Sequence, residues 1–179
     1  TKAVREQAAL EGKLPDYIQT LVANCLSCGN AYGAGDLSAD LKNAIKQHSA
    51  PTETLLFLGV DARYRMPAEA LKTITILERT GIPFTVLADE PASGAQMDYL
   101  VGALKETKDQ MQSCAAILNG YKTVIAVDPA DAKVLRRTYG EYGVELTCRV
   151  ETLSAFLAAA LRAGSLRAEK RNLAVVYQD

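Results

Sequence analysis

The chain has no hydrophobic run long enough to cross a bilayer, no surplus of either charge, no tandem repeat and a single histidine. Each absence closes off a class of function. A membrane-spanning helix takes about 18–20 apolar residues in a row, and nothing in the sequence comes near that. Twenty basic against twenty-one acidic residues, a formal net charge of −1, leave no basic footprint for nucleic acid and no polybasic anchor for a membrane surface. The lone histidine, His48, falls in a polar stretch and is expected to be exposed and inert. Cysteine is scarce too. Four in 179 residues, in a chain this apolar, need no disulfide framework, so a reducing, cytoplasmic compartment is the default expectation. No signal-peptide pattern shows, and a start at Thr1 without methionine points to processing or to a fragment.

What remains is an ordinary globular mixture, enough for one good core with an appended helical piece. Residues 1–12 are helix-prone and end in Gly12. Pro15 opens a helix with Ile18, Leu21, Val22 and Cys25 on one face, expected to end at Cys25. A glycine-rich turn, a helix over 37–46 and the proline-bearing joint 48–52 (HSAPT) follow, and a domain boundary is expected at that joint. The G-x-G at Gly33 and Gly35 follows no strand, so it supports no dinucleotide fingerprint.

Beyond the joint, strand and helix alternate. Residues 54–59 (TLLFLG) read as a strand buried on both faces, followed by a charged loop with Asp61, Arg63 and Arg65. A helix over 67–80 is expected to turn Ala70, Leu71, Ile74 and Leu77 inward. Residues 83–87 read as a second strand, 94–118 as one long helix and 123–127 as a third strand. A helix over 130–142, an alternating strand over 144–150, a helix over 152–162 and a fifth strand over 173–177 complete the pattern. Cys114 and Cys148 fall on apolar faces and read as core residues. The expected fold is α/β: a three-layer parallel sheet of about five strands with helices on both faces, after a short helical segment. Ligands then belong at the carboxyl ends of the strands.

Cys25-Leu-Ser-Cys28-Gly-Asn resembles the start of the C-x2-C-x2-C-x3-C-P cluster motif of two-cluster ferredoxins, with Ala31, Gly35 and Asp36 where two thiolates and the proline would stand. The rest of the chain is similar, in order, to the heterodisulfide reductase and glycolate oxidase iron–sulfur subunit family, a ferredoxin-like segment followed by cysteine-rich domains. LFLGVDARYR resembles that family's first strand and its Gly-Cys, with Val60 for the cysteine. DEPASG resembles the Cys-Cys-Gly turn, with Ala92 and Ser93 for both cysteines, and Asp128-Pro-Ala-Asp131 leading to Tyr139 resembles C-P-x-C. The closing AVVYQD is similar to the opening of the family's second domain.

The resemblance implies a degenerate, ferredoxin-like segment at 1–50 and a cysteine-rich-type α/β domain at 51–179 that lacks its motif cysteines and ends at the start of a second repeat. It also implies electron transfer, a [4Fe–4S] cluster, and as partners other oxidoreductase subunits or a second cysteine-rich domain, with this region structural. Cys25 and Cys28 are the candidate cluster ligands. They also read as a relic pair or, less suitably at a helix C-terminus, as a redox dithiol. Asp61, Asp89, Glu90, Asp128 and Asp131 all fall at strand ends. They read as loop and helix-cap residues or as an acidic metal or phosphoryl pocket like that of receiver domains. The alternative function is a non-enzymatic scaffold that keeps only the fold.

Overall fold

A computed structural model describes residues 1–33, 35–169, 172, 174 and 176. The lead-in forms α1 (Lys2–Leu10), α2 (Asp16–Cys28) and α3 (Ala39–Gln47). Then come β1 (Thr54–Phe57), α4 (Gly59–Tyr64), α5 (Pro67–Glu78), α6 (Ala95–Val101), α7 (Lys105–Leu118), β2 (Thr123–Ala126) and α8 (Pro129–Lys133). A π-helical turn over Val134–Thr138 carries α8 into α9 (Tyr139–Glu141). β3 (Arg149–Thr152) and α10 (Leu153–Ala163) follow.

Among the described residues the sheet has three parallel strands in the order β1-β2-β3, not about five. Residues 83–87 lie along the free edge of β1, but only the Leu55–Thr85 bridge joins them to it. Local chemistry explains the shortfall. Pro83 has no N–H to give, and the two groups of the next rung are spent elsewhere: the Leu58 N–H goes to Glu90 at 2.8 Å and the Leu87 carbonyl accepts from Arg63 at 2.9 Å. The Val86 N–H, on the side away from β1, goes to the His48 carbonyl at 2.8 Å, so the joint 48–52 covers the outer edge. In the expected strand 144–150 only the last two residues are strand. The Asn119 side chain accepts from the Thr147 N–H at 2.8 Å and donates to the Glu145 carbonyl at 3.2 Å, standing in for a neighbouring strand. The expected fifth strand, 173–177, lies outside the described residues, apart from Ala174 and Val176.

Helices cover both faces of this narrow sheet. Leu56, Leu58 and Ile125 pack on one face with Leu41, Ile74 and Leu77, and the partly buried Leu153, Phe156 and Leu157 close over them. Leu55, Phe57 and Val124 point the other way, against Met111, Cys114, Leu118 and Tyr139, as the two-residue period of a strand requires. Cys148 is half-buried against this second cluster.

The long helix expected over 94–118 is two helices. Gly102 (φ 76, ψ −147) ends α6 and Leu104 is extended before α7 begins. The single apolar stripe therefore divides. Met97, Leu100 and Val101 join Ile18, Leu21, Val22 and Cys25 in a small core between the lead-in and α6, while Met111, Cys114 and Leu118 serve the sheet. α2 runs on to Cys28, so both cysteines lie in its last turn rather than Cys25 ending it. The stretch after β1, expected as a loop, is the helix α4. Among the described residues no helix is long and apolar enough to cross a membrane.

Candidate functional site

After β1 the chain runs first to 83–87 on one side of that strand and then to β2 on the other. In open parallel sheets such a reversal opens a crevice at the strands' carboxyl ends, the usual place for a ligand. A cavity of about 350 Å³ opens there, walled by the residues that follow β1, 83–87 and β2 and closed from above by α2 and α6.

Val60, Ala92, Ser93, Asp128 and Asp131 all line it, as do Cys25 and Ala31. These residues come from five separate stretches of chain. Two glycines make the convergence possible. Gly59 has φ +81, and a Cβ there would overlap Asp131 Oδ2. Gly94 has φ +83, and a Cβ there would stand 2.7 Å from Met111 Cγ. Tyr139, fully buried, donates its hydroxyl to the Ser93 carbonyl at 2.9 Å and so fixes the turn that carries Ala92 and Ser93.

The acidic residues separate into different roles. Asp128 caps α8, its Oδ1 accepting from the Ala130 N–H at 2.7 Å. Asp61 accepts from the Tyr32 hydroxyl at 2.5 Å. Asp131 is no cap: it is 6% exposed and accepts at Oδ1 from the Ser93 hydroxyl at 2.5 Å. Burial pushes its carboxyl up to about 7 against the pull of Ser93, and Asp128, Glu90 and Asp61 add to the rise. Asp89 lies apart, in an open groove with Asp36, Lys42 and Arg63.

Glu90 takes a capping role, for a helix distant in sequence. Its carboxylate accepts from the N–H groups of Leu58 and Gly59, both at 2.8 Å, and so caps α4 from another part of the chain. Those two donors sit where an α/β sheet commonly receives a phosphate. Glu90 fills that seat with the protein's own anion, which argues against a phosphate or nucleotide there. Desolvation raises its pKa to about 7 although Arg63 and the two N–H groups pull it down. Arg63, buried itself, donates to the Leu87 and Ala88 carbonyls and straps this segment beside α4. Arg65 lies over the Tyr32 ring, 5.0 Å from its centre.

Cys25 and Cys28 part company. Cys25 is buried on the cavity wall, and its thiol is pushed up to about 11 by desolvation, near the negative end of α2. Cys28 is exposed, beside Ser27, and does not line the cavity. A cubane cluster normally takes four thiolates, and this chain brings one to the cavity. Its own residues do not make up the set. Among the described residues no three Asp, Glu, His or Cys side chains are grouped so as to hold a metal ion. His48 is half-buried, not exposed. Its ring stacks on Phe84 at 4.4 Å and its Nε2 lies 2.9 Å from Glu78 Oε1, a structural clamp at the joint.

Gln96 and Tyr99, both at the cavity, had no sequence signal beyond their place at the start of an apolar helix. Gln96 Oε1 accepts from the Ala31 N–H at 2.8 Å and joins the lead-in to α6. Compared with family models, curated proteins and solved structures, the chain matches none.

Proposed function

We propose that this chain is a structural module of an electron-transferring oxidoreductase, related to the heterodisulfide reductase and glycolate oxidase iron–sulfur subunits and working without a cluster of its own. One observation carries the reading. The five α/β positions where the resemblance expects thiolates (Val60, Ala92, Ser93, Asp128 and Asp131) are scattered over some seventy residues of sequence, yet line one cavity. Convergence at the carboxyl ends of a parallel sheet is what the resemblance requires of these positions. The chemistry of those five side chains explains the rest of the proposal, because valine and alanine cannot ligate iron. In this reading the protein is cytoplasmic and its partners are other oxidoreductase subunits or a second cysteine-rich domain.

The test restores what is missing. Val60, Ala92, Ser93, Asp128 and Asp131 are all replaced by cysteine, and both proteins are treated anaerobically with iron and sulfide. The variant is expected to retain iron and show the broad absorption near ~400 nm of thiolate-held clusters, and the parent chain neither. A parent chain that itself assembles a cluster would end the structural reading. A folded variant that takes up no iron would remove the ground for the family reading and leave a scaffold that keeps only the fold.

A further inference from the structure

We propose that the cavity at the carboxyl ends of β1 and β2 binds a small organic cation, an amine with a compact apolar body. Its charged lining consists of Asp61, Asp128 and Asp131, with no lysine, arginine or histidine among the described residues that face it. Arg65 and Arg5 lie outside the lining, over the rings of Tyr32 and Tyr99, so an anion inside would meet three carboxylates first. Each of the three carboxylates is held by the protein through one oxygen: Asp61 by the Tyr32 hydroxyl, Asp128 by the Ala130 N–H and Asp131 by the Ser93 hydroxyl. Among the described residues the second oxygen of each makes no hydrogen bond. Asp131 is 6% exposed, yet its second oxygen is not shut off from solvent, so a positive charge entering the cavity can reach it.

The rest of the wall decides what carries that charge. Leu21, Val60, Ala92, Ala95 and Leu100 make it largely apolar, and the exposed Tyr99 stands at its edge. A bare metal ion would find no grouped ligands among the described residues. A neutral apolar molecule would fit the wall and leave Asp131 uncompensated. An alkyl- or arylalkylammonium satisfies both halves, its N–H groups donating to the free carboxylate oxygens while its body covers the aliphatic side chains. The upward displacement of Asp131 is consistent with such a seat, where an unaccompanied negative charge is disfavoured by burial and by its acidic neighbours. The cavity is the same whatever the chain's ancestry, and the cysteine variants above test that ancestry separately.

The full chain is titrated at about pH 8 with benzylamine and cyclohexylamine, and with the neutral isosteres benzyl alcohol and cyclohexanol, by calorimetry and amide NMR. The amines are expected to bind saturably, about tenfold or more tighter than the alcohols, with shifts centred on Val60, Ala92 and Ala95. Asp131→Asn keeps the acceptor for Ser93 and is expected to lose about tenfold in amine affinity while binding the alcohols as before. Ala92→Leu fills the cavity from its apolar side and is expected to block every probe, with an unchanged circular dichroism spectrum. Alcohols binding as tightly as amines, amine affinity untouched in a folded Asp131→Asn, or no saturable amine binding up to about 10 mM would each overturn the proposal. If Asp131→Asn fails to fold, the amine-to-alcohol ratio and Ala92→Leu decide the matter on their own.

Discussion

Glu90, partly buried at the edge of the Asp89 groove, and Asp131, 6% exposed, are two carboxylates at the same end of one sheet, and they are held in opposite ways. Both are pushed up to about 7, chiefly by loss of water. Glu90 has a backbone N–H on each oxygen and the Arg63 guanidinium close by. Asp131 has one hydroxyl on one oxygen and a cavity beside it. The first arrangement closes a site and the second leaves one open. Desolvation alone therefore does not separate a structural acid from a functional one; the number of donors already spent on it does.

Removing the closed member should cost most. Glu90→Ala leaves the Leu58 and Gly59 N–H groups at the start of α4 without an acceptor, a loss expected near 2–4 kcal/mol in urea unfolding. Glu90→Gln keeps one acceptor and should fall between the two. An alanine variant as stable as the parent would show that water reaches those donors, and the contrast with Asp131 would dissolve.

The second expectation concerns pH. Both carboxyls have folded-state pKa values above their ordinary values of 4.5 and 3.8, so folding favours their protonated forms. Their contribution to stability is complete below about pH 4 and is lost as pH rises through about 7, at up to about 1.4 kcal/mol per pH unit for each group. Urea midpoints should fall between about pH 5 and about pH 8, and Asp131→Asn should flatten part of that fall. Midpoints that climb over this interval would mean that the donors around Glu90 outweigh its desolvation.

How much of this was legible beforehand follows from where each signal resides. The face Ile18, Leu21, Val22, Cys25 was readable because helical periodicity is local, and all four share one small core. The narrow sheet was not readable, because what limits it is competition for N–H and C=O groups. Asn119 takes the backbone of 145–147, Glu90 takes the Leu58 N–H and Arg63 the Leu87 carbonyl, and none of these pairings leaves a trace in hydrophobic pattern. The break at Gly102 was visible as a residue but hidden in an apolar stripe that continues through it. At the site, the positions Val60, Ala92, Ser93, Asp128 and Asp131 could be marked from motif likeness. The separate fates of Glu90 and Asp131 could not, since both are simply acids near strand ends until their donors are counted.

Behind Asp131 stands Tyr139, whose hydroxyl holds the Ser93 carbonyl while the Ser93 hydroxyl holds Asp131. Tyr139→Phe keeps the packing and strands one buried carbonyl, so a loss of about 1–2 kcal/mol is expected, together with weaker amine binding through a loosened Ser93. A loss of stability with amine affinity intact would separate the turn's role in folding from its role at the cavity.

The smallest effect belongs to Tyr32→Phe, and its size is the point. The Tyr32 hydroxyl donates to Asp61 at 2.5 Å, as short as the Ser93–Asp131 bond, but the ring is 39% exposed at the mouth of the cavity. Water can replace that donor as soon as it is removed, so the stability change should stay under about 0.5 kcal/mol. If donor count with water excluded is what distinguishes Glu90 from Asp131, a bond of equal length open to solvent must matter least of the four. A Tyr32→Phe loss as large as that of Tyr139→Phe, read in the same urea series, would put bond length ahead of burial and reverse that order.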